Sequence, residues 1–126
     1  MRAVDTNVLV RLFAQDDEEQ VAAAAEFVRG GAWVSHVVLV ETVWVLVSVY
    51  SVRPEGVADA IEHLLDHESL VVQEGDVVRG AVSLFRKRPV LGFSDCLVLE
   101  LAKKAGHVPL GTFDRDLGKL DGAERI

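Results

Sequence analysis

Val37-Val38-Leu39-Val40-Glu41-Thr42-Val43-Trp44-Val45-Leu46-Val47-Ser48-Val49-Tyr50 is the segment on which the fold turns. Seven of its fourteen residues are valine, and β-branched side chains by themselves favour a strand. Two features outweigh that propensity. The segment runs its whole length without Gly or Pro, and Ser35 or His36 stands in front of it as a cap. It is expected to be a buried helix. With that assignment, the chain alternates between short strands and helices.

Working upstream, Ala32 to Ser35 reads as a short strand, preceded by Gly30-Gly31 and a helix over Glu18 to Arg29. Asp16 or Asp17 caps that helix, and its first turn is acidic. Val8, Leu9, Leu12 and Phe13 fall at helical spacing between Thr6 and Ala14. Met1 to Val4 is expected to be a very short buried strand that ends in Asp5.

Downstream, Pro54 opens a helix carrying Val57, Ile61, Leu64 and Leu65. Leu70 to Val72 is a strand, and Asp76 to Arg88 a helix with a basic end stopped by Pro89. Ser94 is expected to cap a helix from Asp95 to Lys104 that Gly106 closes. Val108 to Thr112 is a strand, and Phe113 to Leu120 a short turn of helix. The pattern predicts one α/β domain over residues 1–126, a three-layer sandwich with a short-stranded parallel sheet and helices on both faces.

Composition narrows the function. Half of the 126 residues are hydrophobic and 26% are charged, which suits a globular chain. A single cysteine, Cys96, excludes an internal disulfide. No secretory leader is expected, and the most apolar segment holds Glu41 and is too short to cross a bilayer. A soluble, cytoplasmic protein is the expectation. The net charge of −7, from 20 acidic and 13 basic residues, argues against gripping nucleic acid by bulk electrostatics. It is compatible with carboxylates gathered around divalent cations, which reverse the local field.

Four acids stand out by position. Asp5 lies where the first strand runs into its helix, Asp95 at the first turn of a helix, and Asp114 one residue past the last strand, with Asp116 following. In a parallel sheet, strand C-termini and helix N-termini gather on one edge, where ligands bind. Glu41 is the only charged residue between Arg29 and Arg53. Burying an unpaired carboxylate costs several kcal/mol, and a shared divalent cation offsets that cost. The plain readings are helix caps for Asp5 and Asp95, a solvent-facing Glu41, and turn residues for Asp114 and Asp116. One shared site explains all of them together. Hard oxygen ligands without a His or Cys cluster suit Mg²⁺ or Mn²⁺, and such ions serve phosphodiester hydrolysis.

Asp5-Thr6-Asn7-Val8-Leu9, Glu41 within Val-Glu-Thr-Val-Trp-Val-Leu, Phe93-Ser94-Asp95, and Thr112-Phe113-Asp114-Arg115-Asp116-Leu117 together resemble a PIN domain. The compact arrangement, from Ala3 to about Leu120, is similar to a VapC-type toxin of a toxin–antitoxin pair. The resemblance implies a metal-dependent endoribonuclease, a homodimer held inactive by a VapB-like antitoxin, and a higher assembly formed with that antitoxin. It also implies an RNA substrate cut by metal-activated water to leave a 5′-phosphate and a 3′-hydroxyl. Asp5, Glu41, Asp95 and Asp114 match the family's acidic metal-binding positions, and Asp116 stands where some members use a further acid. Thr6, Asn7, Ser94 and Thr112 match the polar positions flanking those acids, and Arg115 lies between two of them.

Other side chains invite chemistry less strongly. His63 and His67 are four apart, yet they sit at the margin of an apolar stripe and read as a solvated helix face. Cys96 reads as a small core residue, and Trp33, Trp44 and Phe85 as mostly core. Arg86-Lys87-Arg88 suits either the helix dipole or RNA phosphates. The competing functions are a DNA nuclease, a phosphatase and a nucleic-acid-binding module that does not cut. An aspartyl phosphatase of the haloacid-dehalogenase type is disfavoured, since Asn7 stands where its second Asp belongs.

Overall fold

A computed structural model describes residues 1–126. The chain is α/β with six α-helices and parallel sheets, and it divides into two compact units, Met1–Gly75 and Asp76–Ile126.

In the first unit, three short strands, β1 (Arg2–Ala3), β2 (Ala32–Val34) and β3 (Leu70–Val72), form one parallel sheet in that order. Ala32 pairs with Leu70 and Val34 with Val72, while Arg2 pairs with Ala32. The connections are helical: α1 (Thr6–Phe13) and α2 (Glu18–Val28) between β1 and β2, then α3 (His36–Ser48) and α4 (Pro54–Asp66) between β2 and β3. Alternation in β2 and β3 buries Ala32, Val34, Leu70 and Val72. β1 departs from the expected buried strand. Arg2 and Ala3 are exposed and only Val4 beyond them is buried, because β1 is an edge strand.

Three of the four helix starts in this unit are fixed by side-chain caps, and α4 opens on Pro54 instead. Asp5 accepts from the Val8 amide at 3.1 Å, Asp17 from Gln20 at 3.1 Å and Ser35 from Val38 at 3.1 Å. These bonds satisfy amides that the helix itself leaves orphaned. The valine-rich segment is therefore helical, as expected, but it is not buried all round. Leu39, Thr42 and Leu46 face inward, while Val37, Trp44 and Val47 are exposed. Thr42 is buried without penalty because its hydroxyl donates to the Val38 carbonyl at 2.7 Å. Trp33 and Trp44 are exposed, at 38% and 66%, against the expectation of core positions, whereas Phe85 is buried.

In the second unit, α5 (Gly75–Lys87) opens at the junction and α6 (Phe93–Ala105) follows a 3₁₀ turn over Pro89–Leu91. Phe85 of α5 meets Phe93 of α6 edge-to-face, with ring centroids 6.3 Å apart, and Lys104 pairs with Asp76 at 2.8 Å. Two further strands, β4 (Leu110–Thr112) and β5 (Ala123–Arg125), pair in parallel, joined by a 3₁₀ turn over Leu117–Lys119. β5 was not expected from the sequence, and β4 pairs with it rather than with β1 to β3. Ser94 is not the cap of α6. Gly92, with φ +80°, takes that position, and the helix starts two residues earlier than expected.

The cap at Ser35 sets where the helix carrying Glu41 begins. Ser35→Ala is expected to destabilise the chain by about 1 kcal/mol and Ser35→Gly by only a few tenths, as read from urea unfolding followed by circular dichroism.

Candidate active site

Two of the expected acids stand together in the first unit. Asp5 occupies the N-cap of α1, and Thr6, the first residue of that helix, donates its hydroxyl to Glu41 Oε2 on α3 at 3.3 Å. The bond ties Glu41 to the residue that follows Asp5 in the chain. Asp5 uses a single oxygen, Oδ1, for its cap, and its second oxygen holds no hydrogen bond. Glu41 is exposed, which corrects the expectation of a buried carboxylate. α3 turns Thr42 rather than Glu41 into the core, so no desolvation cost has to be offset there.

The other two stand in the second unit. Asp95, in the first turn of α6, is half-buried, and Asp114 is exposed two residues beyond the end of β4. Burial raises the Asp95 carboxyl above its ordinary value of 3.8, and the negative charge of Asp114 raises it further. The second effect shows that the two acids feel each other. Asp114 is held by its backbone. Its Oδ1 accepts from the amides of Asp116 and Leu117, both at 2.8 Å, and its own amide donates to Thr112 Oγ1 at 3.0 Å. Thr112 thereby fixes the start of the loop that carries Asp114. Asp116 and Arg115 are exposed; Asp116 precedes the 3₁₀ turn without a side-chain cap bond. Ser94 is exposed beside Asp95, and Asn7 is exposed on α1.

Each unit carries two of these carboxylates: Asp5 and Glu41, linked through Thr6, and Asp95 and Asp114, coupled by charge. No three His, Cys, Asp or Glu side chains stand together as a ready metal cage. The chemistry of each pair nevertheless fits a hard divalent cation, which prefers carboxylate oxygens and keeps part of its water shell. The repulsion that raises Asp95 is the kind a cation relieves. His63 and His67 are exposed, and the Nδ1 of His67 accepts from the Ser69 amide at 3.0 Å, which leaves the histidine pair without a ligand role. Cys96 is fully buried, and burial, with the charges of Asp95 and Glu100, pushes its thiol up to about 11. A protonated, enclosed thiol is a core residue and not a nucleophile.

Sequence reasoning passed over the surroundings of Asp5. A cleft of about 590 Å³ opens there between α1 and α2, bordered by Asn7, Arg11, Gln20, Ala23 and Phe27. Arg11 ion-pairs with Asp16, and Tyr50 donates its hydroxyl to the other oxygen of Asp16 at 3.0 Å. The helical spacing of Gln20, Ala23 and Phe27 was available as a signal, but nothing local marks the face as concave.

Residues 2–123 match the PIN domain family, and the chain belongs to that family. PIN domains are typically nucleases that hydrolyse phosphodiester bonds and generally use divalent metal ions. Neither a curated protein nor a solved structure matches the chain. The raised Asp95 gives the acid pair a thermodynamic signature. The folded chain binds this proton more tightly than the unfolded chain, so stability present below pH 3.8 is lost as pH climbs through the raised value. Asp95→Asn is therefore expected to raise the melting temperature of the metal-free protein at neutral pH, with the gain vanishing in acid. Added Mn²⁺ is expected to stabilise the wild type more than the variant. Differential scanning fluorimetry across pH, with and without Mn²⁺, checks both.

Proposed function

We propose that this PIN domain is a Mg²⁺- or Mn²⁺-dependent endoribonuclease and the VapC-type toxin of a toxin–antitoxin pair, acting in the cytoplasm. In this reading Asp5, Glu41, Asp95 and Asp114 hold the metal, the active species is a homodimer, and a VapB-like antitoxin restrains it. The observation that carries the nuclease is the state of the acids. Asp5, Asp95 and Asp114 each sit at the start of a helix or tight turn while Glu41 lies within α3, and both Asp5 and Asp114 present a second carboxylate oxygen that the fold leaves unused. RNA as substrate and the toxin role rest on the four motif pieces and their resemblance.

The bound cation would supply Lewis acidity toward the phosphoryl oxygen and a lowered pKa for water. The rest falls to the chain. Asp5 and Asp114 are oriented by backbone amides, so their free oxygens are aimed before any ligand arrives. Thr6 steadies Glu41, and Thr112 steadies the loop of Asp114. Such outer partners are worth about 10- to 100-fold in metal affinity or activity.

Asparagine caps helices as well as aspartate does, which makes Asp5→Asn a clean test. The variant is expected to keep the wild-type circular dichroism and to lose RNA cleavage by at least roughly a hundredfold. Thr6→Val is expected to lose about tenfold. Matched RNA and DNA oligonucleotides with Mn²⁺ provide the comparison: preferential cutting of DNA refutes the ribonuclease, and full activity of Asp5→Asn refutes the site. Sequencing of RNA ends after induction in cells, with Asp5→Asn as control, tests the toxin role.

A further inference from the structure

The cleft beside Asp5 has a chemistry of its own. Arg11 is the only cation on its border, and its guanidinium is already taken up by Asp16 and the Tyr50 hydroxyl. Its Nε is buried without a partner, out of reach of any ligand. Asp5 at the same border repels anions. A phosphate therefore gains little inside this cleft.

What the cleft does offer is neutral. Asn7 and Gln20 are exposed, and neither amide side chain holds a hydrogen bond, so each presents an unused donor and an unused acceptor. Gln20, Ala23 and Phe27 share one face of α2 at helical spacing, and the small Ala23 leaves the space open. Phe27 is fixed in place by Arg2, whose guanidinium lies 3.8 Å from the ring centroid and donates to the Phe27 carbonyl at 2.9 Å. An uncharged planar ligand with apolar faces and a polar edge matches these walls. A nucleobase is such a ligand, and RNA-binding proteins read unstacked bases through their edges.

We propose that the α1–α2 cleft seats one nucleobase of the substrate RNA beside the phosphodiester being cut, with Asn7 and Gln20 hydrogen-bonding to its edge. This rests on the nuclease reading above, because Asp5 borders the cleft and belongs to the acid set. The cleft sets which nucleotide flanks the cut, while the acids set the chemistry. Gln20 and Ala23 are both exposed and lie outside the acid set, so substitutions there leave the fold and the metal ligands alone.

The test uses the full chain with Mn²⁺ and a set of single-stranded RNA oligonucleotides that differ at one nucleotide. The wild type is expected to prefer one base at one position by about tenfold, the scale of a paired hydrogen-bond contact to a base edge. Gln20→Leu is expected to flatten that preference while cleavage persists, and Ala23→Phe, which fills the cleft, to lower kcat/KM by about tenfold. Wild-type rates and base ranking in both variants overturn the pocket and leave the nuclease standing. If the wild type cuts no RNA, fluorescence polarisation of the same oligonucleotides decides. Binding weakened by Ala23→Phe keeps the pocket and discards only the nuclease, and binding that ignores the substitution, or no binding, discards both.

Discussion

A carboxylate has two oxygens, and a helix start needs only one of them. Asp5 gives Oδ1 to the Val8 amide, and Asp114 gives Oδ1 to the amides of Asp116 and Leu117. In each case the second oxygen stays free. The same residue is thus structural through one atom and available for a ligand through the other. Capping and metal binding, which look like rival explanations for an acid at a helix start, are therefore compatible in one residue.

That arrangement explains how a chain with net charge −7 tolerates carboxylates close together. Three of the four acids are exposed and one is half-buried, so water screens most of the repulsion. The residue that does pay a desolvation penalty, Asp95, is also the one perturbed by a neighbouring acid. Perturbation by burial plus a specific neighbouring charge marks Asp95 as a candidate functional residue. Thr6 and Thr112 complete the design at low energetic cost. Each is a short hydroxyl that orients an acid or the loop bearing it.

Much of this was legible in the residues. The helix over His36–Ser48 follows from an unbroken run behind a serine cap, although valine favours strands, and the Asp5 and Asp17 caps follow from local spacing. What stayed hidden was governed by contacts distant in sequence. Helical period alone could not orient α3, because it is apolar on every side, and so Glu41 was expected inside and is found outside. β5 comprises Ala123, Glu124 and Arg125, a triplet with no strand pattern that forms only because β4 offers it a partner. Gly92 displaced Ser94 as the start of α6 through a positive φ that a single sequence does not announce. The Arg11–Asp16–Tyr50 group joins a residue from α3's far end to the loop after α1, beyond the reach of any periodicity argument. The acids were singled out by position, and for Glu41 the burial expected with it is absent.

Cys96 is the only cysteine, and it is sealed in the interior with its thiol protonated at neutral pH. For maleimide or iodoacetamide chemistry, the native chain therefore behaves as though it had no cysteine at all. A single thiol introduced on any exposed position accepts a fluorophore or spin label selectively, with no need to remove Cys96 and open a void in the core. The two compact units can each be labelled in turn, so that distances between them become measurable in solution.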